Sequence, residues 1–154
     1  MDKLDIGKLG EETAENFLTS QNYQIVSKNY RSSFGEIDLV AIDHFCRQPQ
    51  TVFVEVKTRT QNDYGDPEES INPRKIQKII KTAIHYLRNI KTPLSWRIDM
   101  IAIKLESTGK LKEINHHKNI LDGTGNKKIV LTFDAYNLSD NFTARVFCVD
   151  VFLQ

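Results

Sequence analysis

Gly35-Glu36-Ile37-Asp38-Leu39-Val40-Ala41-Ile42, followed by Val52-Phe53-Val54-Glu55-Val56-Lys57-Thr58-Arg59, is the stretch on which the fold turns. Both segments are rich in Ile, Val and Phe, so each reads as a strand. Each also carries charge in its interior. Asp38 is set among apolar neighbours. In the second segment the two-residue period puts Glu55, Lys57 and Arg59 on one face and Val52, Val54 and Val56 on the other. A carboxylate beside a core is costly unless it is paired or bound to a metal. Two carboxylates and a lysine on neighbouring strands therefore gather charge at one point. A salt-bridge network across the sheet and a metal site both meet that requirement, and the spacing alone leaves the two open.

Outward from this pair, residues 6–20 read as an amphipathic helix with Ile6, Leu9, Thr13, Ala14, Phe17 and Leu18 on one face. At 100° per residue Glu11 falls beside that face, between Gly7 and Leu18, while Glu12 and Glu15 turn toward water. A short strand is expected at Gln24–Ser27, and Ser33, Gly35 and Asp43–Gln50 supply turns. Gln61–Pro73 is polar and reads as a loop. Ile76, Ile79, Ile80, Ala83, Ile84, Leu87 and Ile90 then mark the apolar stripe of a second helix, ended by Pro93. Arg74, Lys78, Lys81, His85 and Arg88 lie opposite, and residues 74–91 hold six Lys or Arg and no acid. Arg97–Leu105 is a further strand in which Asp99 is expected to pair with Arg97 or another basic group. Residues 106–128 read as irregular. Lys128–Tyr136 and Ala144–Leu153 read as a hairpin around Asn137–Thr143. The order gives one α/β domain with a mixed sheet over 1–154, its core at about 1–122 and a β extension at 123–154.

The chain has 154 residues, 40% hydrophobic and 27% charged, with a net charge of +1. That excludes a disordered tail, a collagen-like repeat and a disulfide-stapled miniprotein, and it excludes a uniformly basic nucleic-acid coat. Cys46 and Cys148 are expected reduced. The N-terminus lacks an apolar signal region, and the apolar runs fall short of the ~20 residues a membrane span needs. The expected location is the cytoplasm, without membrane association. His44, Cys46, His116, His117 and Cys148 lack structural-zinc spacing. Gly123-Thr124-Gly125-Asn126-Lys127-Lys128 fails the phosphate-loop spacing, and no G-x-S-x-G elbow is present.

A cluster of Asp38, Glu55 and Lys57 suits phosphodiester hydrolysis. Mg²⁺ binds through one or two carboxylates, keeps waters and accepts phosphate oxygens. A lysine beside it orients or deprotonates the attacking water and offsets charge on phosphate oxygens. The two motifs resemble the YraN-like family of small bacterial proteins, in the PD-(D/E)xK nuclease superfamily. The agreement extends to Gly10-Glu11 with Ala14, Asn29, Arg31, Tyr64-Gly65 with Pro67, Lys75, Ala83, Tyr86-Leu87 and Arg97-Ile98-Asp99, covering about residues 7–105. The resemblance implies a restriction-endonuclease-like fold related to archaeal Holliday-junction resolvases: a mixed central sheet flanked by helices, here with a C-terminal β-hairpin extension.

It further implies Asp38 and Glu55 as ligands of Mg²⁺ or Mn²⁺, with Lys57 as catalytic lysine. Glu11 completes the site directly or through water. Arg31, Arg59, Lys75 and Lys78 are the implied nucleic-acid contacts. Ile37 stands where the superfamily pattern has proline, and the tail after Gly123 has no counterpart in it. Three roles are open to that tail: shielding a sheet edge, making a homodimer contact or controlling substrate access. The expected activity is metal-dependent hydrolysis of DNA at branched or single-stranded structures. The alternative is a non-catalytic nucleic-acid-binding or scaffold protein that retains the fold.

Overall fold

Gly10, Ala14 and Leu18 are buried along one line of helix α1 (Lys3–Ser20), with Ile6, Leu9 and Phe17 beside them. Asn22 ends the helix region in the left-handed conformation (φ 61°), which asparagine tolerates better than most residues. The structure is a computed structural model that describes residues 3–45, 48–60, 73–90, 95–122, 128–129 and 148–149. The chain divides into two compact units, Met1–Lys118 and Asn119–Gln154.

In the first unit the strands are β1 (Tyr23–Ser32), β2 (Gly35–Asp43), β3 (Gln50–Thr60), β4 (Trp96–Leu105) and β5 (Leu111–His117). They form one mixed sheet in sequence order. β1–β2, β2–β3 and β4–β5 are antiparallel, and β3–β4 is parallel. A parallel neighbour demands a long crossover, and helix α2 (Pro73–Leu87) lies within it. Alternation divides the core between the two faces. Val52 and Val54 of β3 join Ala14, Leu18, Leu39, Ala41, Ile101 and Ile103 beneath α1. Phe53 points the other way, its ring meeting Tyr86 of α2 at 5.7 Å and Trp96 at 5.8 Å.

Three expectations need correction. β1 runs ten residues rather than four. Its register shifts between Ile25 and Ser27, and Asn29 adopts φ 49°, so the alternation that identifies a strand is broken twice. β5 occupies part of the stretch expected to be irregular. It is an edge strand held by backbone pairing to β4, with few apolar residues to advertise it. The second helix stops at Leu87 instead of continuing through Ile90. Pro93 lies outside the described residues, as do Cys46 and residues 61–72 of the expected loop. Pro73 begins α2, where its missing N–H costs nothing.

The second unit contains, among its described residues, a 3₁₀ turn at Ile120–Asp122 and two short strands. β6 (Lys128–Ile129) pairs antiparallel with β7 (Cys148–Val149). The rest of the expected hairpin lies outside the described residues. No described helix is long and apolar enough to cross a membrane.

At Gly10 α1 comes close to the sheet: a Cβ there would overlap the Thr58 hydroxyl of β3. Alanine gains up to about 1 kcal/mol of helix propensity, against about 1–3 kcal/mol for overpacking. Gly10→Val, bulkier and β-branched, is expected to lose at least 2 kcal/mol, on the order of the upper part of that overpacking range. Urea unfolding checks it, with Gly7→Val as control because a Cβ at Gly7 meets nothing within 4 Å.

Candidate active site

Antiparallel pairing between β2 and β3 ends at Leu39↔Val54. The next residues, Asp38 and Glu55, belong to the site. Past this point the Val56 N–H donates to Asp38 Oδ2 at 2.7 Å instead of to a backbone carbonyl of β2. Glu55 has a side chain only 2% exposed. Its Oε1 accepts both Lys57 Nζ at 2.6 Å and Lys75 Nζ at 3.0 Å. Its Oε2 is buried and has no hydrogen-bond partner among the described residues. Buried polar atoms are nearly always satisfied, so this oxygen requires an explanation.

The electrostatics carry the same imbalance. Burial, then the negative charge of Glu55, push the Asp38 carboxyl up to about 7; the charge of Glu11 adds to this, while the Val56 N–H and Lys57 oppose it. Burial pulls the Lys75 ammonium down, but its hydrogen bond to Glu55 and the charges of Glu55, Asp38 and Glu36 leave it above the ordinary lysine value. Because the folded midpoint of Asp38 lies above the ordinary carboxylate value of 3.8, its ionisation lowers stability as pH rises from about 4 toward 7. Glu55→Gln removes the second of the two main upward influences. The Asp38 midpoint, read by carboxyl-carbon NMR, is expected to fall from about 7 toward the ordinary range. A midpoint that stays near 7 in the variant contradicts the coupling.

Glu11, one step beyond the Gly10 contact, accepts a hydrogen bond from Asn29 Nδ2 at 3.1 Å. Asn29 lies between the register pairs Lys28↔Leu39 and Tyr30↔Ile37, hence opposite Asp38. In the sequence, Asn29 stands out only as part of the family resemblance. Its place beside Glu11 depends on the β1 register shift, and a hydrophilic residue next to a strand motif is the only trace it leaves. Lys75, expected as a phosphate contact, also reaches into the carboxylate pair.

Lys75 further joins a groove of about 450 Å³, lined by Arg31, Ser32, Gly35, Glu36, Lys75, Lys78 and Ile79. Three of the four expected nucleic-acid contacts thus share one surface. Arg31 lies 3.5 Å from Glu36 in an exposed pair, which holds it only weakly. Arg59 stands two residues beyond Lys57 on β3 and is not among the lining residues.

Among the described residues no three His, Cys, Asp or Glu side chains form a ready-made metal cage. Mg²⁺ does not need one, since it binds through one or two carboxylates and completes its shell with water and phosphate. The Glu55 Oε2, without a partner among the described residues, and the raised Asp38 carboxyl fit such an ion, because a divalent charge relieves both.

The family model described as "Uncharacterised protein family UPF0102" matches residues 10–103, a span that contains every candidate site residue. A UPF0102 protein of Psychromonas ingrahamii is 44% identical over 102 residues, covering 66% of this chain and 80% of its own. A UPF0102 protein of Thermodesulfovibrio yellowstonii is 38% identical over 120 residues, 77% of this chain and 97% of its own. One from Persephonella marina is 42% identical over 118 residues, 75% and 92% respectively.

Proposed function

The chain belongs to the uncharacterised protein family UPF0102, and on that premise we propose that it is a cytoplasmic, metal-dependent endonuclease that hydrolyses phosphodiester bonds in DNA. The observation that carries this reading is Glu55. It is a buried carboxylate with two ammoniums on one oxygen and no partner among the described residues on the other, next to an aspartate whose ionisation is suppressed. The sheet order and the α2 crossover support a restriction-endonuclease-like core of the PD-(D/E)xK type.

Asp38 and Glu55 would hold Mg²⁺ or Mn²⁺, with Glu11 assisting through water from its place on α1. The ion supplies Lewis-acid polarisation of the phosphate and a more acidic bound water. Lys57, fixed at 2.6 Å from Glu55 and 26% exposed, can reach a water or phosphate oxygen while staying at the site. There it orients the attacking water and offsets negative charge that grows on the phosphate. Arg31, Lys75 and Lys78 hold flanking phosphates along the groove, and Arg59 makes a further contact beyond Lys57.

Cleavage of plasmid and branched DNA with Mg²⁺ or Mn²⁺ tests this, with Asp38→Ala, Glu55→Ala and Lys57→Ala as controls. Activity that survives all three substitutions removes the assignment. The two lysines on Glu55 also support a second reading, a non-catalytic nucleic-acid-binding protein whose charges serve as a structural network. That reading expects salt-sensitive binding without metal-dependent turnover.

A further inference from the structure

β1 and β2 meet in a tight hairpin at Ser32↔Gly35, with Ser33 and Phe34 at its tip. Both arms line the groove, through Arg31 and Ser32 on one side and Gly35 and Glu36 on the other. Phe34 is therefore one peptide step, about 3.8 Å between Cα atoms, from a lining residue. Its residue surface is 45% exposed. A partly exposed apolar ring thus sits at the tip of the hairpin whose arms line a groove with three basic residues and one acid.

The tip is also held in place. The Phe34 N–H donates to Ser32 Oγ at 3.1 Å, and Ser32 Oγ donates to Thr82 Oγ1 of α2 at 3.4 Å. The Phe34 ring meets His85 in a T-shaped contact at 6.1 Å and 61°. His85 is in turn fixed by a 2.7 Å hydrogen bond between its Nδ1 and the Tyr30 hydroxyl. Tyr30 packs edge-on against Tyr86 at 4.9 Å. The ring contact of Phe34 is edge-type rather than stacked, which leaves aromatic surface open to water.

We propose that Phe34 is a stacking platform for an unpaired nucleobase, so that the groove selects a strand whose bases are free over an intact duplex. Every base presents a π-face once it leaves the helix, and an aromatic side chain beside a phosphate-binding groove captures it without regard to sequence. A base-paired duplex offers no such face except at its ends. The platform rests on the groove's role as a phosphate-binding surface under the proposed function, and it specifies the kind of strand the site receives.

The test is fluorescence anisotropy of the full chain in EDTA, which reads binding without turnover. The probes are a labelled single strand of about 16 nucleotides and the corresponding duplex. Phe34→Ala is expected to weaken single-strand binding roughly 5- to 150-fold, the range that follows from stacking energies, with duplex binding changed less than about twofold. Phe34→Tyr is expected to retain the preference. Lys78→Glu is expected to weaken binding of both probes. If Lys78→Glu weakens both while Phe34→Ala changes neither, the platform is wrong and the groove stands. If the wild-type chain binds neither probe, the groove reading fails and the platform fails with it.

Discussion

Arg97→Met is expected to lower stability by about 3–5 kcal/mol, the range measured when one partner is removed from a buried ion pair. Arg97 is 9% exposed at the start of β4. Its Nε lies 2.9 Å from Asp99 Oδ1, and one terminal nitrogen reaches Asp43 Oδ2 at 2.9 Å and the Tyr23 hydroxyl at 3.0 Å. The other donates to Gln50 Oε1 at 2.7 Å. His116 approaches Asp99 Oδ2 at 2.9 Å from β5. One guanidinium-centred network therefore ties together all five strands of the sheet. Methionine matches much of the volume but leaves the Asp43 and Asp99 carboxylates buried without the cation that faces both.

A thermal midpoint lower by roughly 10–20 °C corresponds to that loss for a domain of this size. Arg97→Lys is expected to recover less than half of it, because a single ammonium cannot span a planar fork. The pH dependence supplies a sign. Burial raises the Asp43 carboxyl, but the Phe45 N–H and then the hydrogen bond and charge of Arg97 outweigh it, leaving Asp43 below the ordinary value. Its contribution is therefore present above the unfolded value and lost as pH falls through the lower folded one. The deficit of Arg97→Met should be widest near neutrality and narrow below about pH 4. A deficit that is constant with pH contradicts the charge argument.

Glu55→Gln is expected to reduce metal-dependent cleavage by about 10²-fold or more, since a bound metal contributes several kcal/mol of transition-state stabilisation. The substitution keeps the shape and removes the charge that Lys57 and Lys75 share at 2.6 and 3.0 Å. Single-strand binding in EDTA should fall far less, because the groove residues Arg31 and Lys78 are unaltered. That separation of turnover from binding distinguishes a catalytic carboxylate from a member of a purely structural network. Equal losses of cleavage and binding, or an unchanged cleavage rate, argue against the catalytic role.

The centre of the site was legible because strand periodicity is local. Glu55 and Lys57 stand two residues apart, and their shared face follows from the pleat alone. The α1 face was legible for the same reason, its apolar positions recurring at helical spacing. What the sequence hid depends on contacts between distant elements. Nothing local sends Lys75 from α2 to Glu55 on β3, and nothing at Asn29 announces that a register shift will set it opposite Asp38. Asp99 was expected to pair with Arg97, and it does; the reach of that pair to Tyr23, Asp43, Gln50 and His116 requires the sheet to exist first. β5 escaped notice because an edge strand can be specified by its neighbour's backbone rather than by its own side chains.

The proposed function stands or falls on a divalent cation held by Asp38 and Glu55 together. Its most direct test is a crystal of the full chain soaked in Mn²⁺, with the anomalous signal mapped. A peak is expected within coordination distance of Glu55 Oε2 and an Asp38 carboxylate oxygen, lost in crystals of Glu55→Gln. Mn²⁺ bound elsewhere, with no peak at this pair and both lysines still on Glu55, would contradict it.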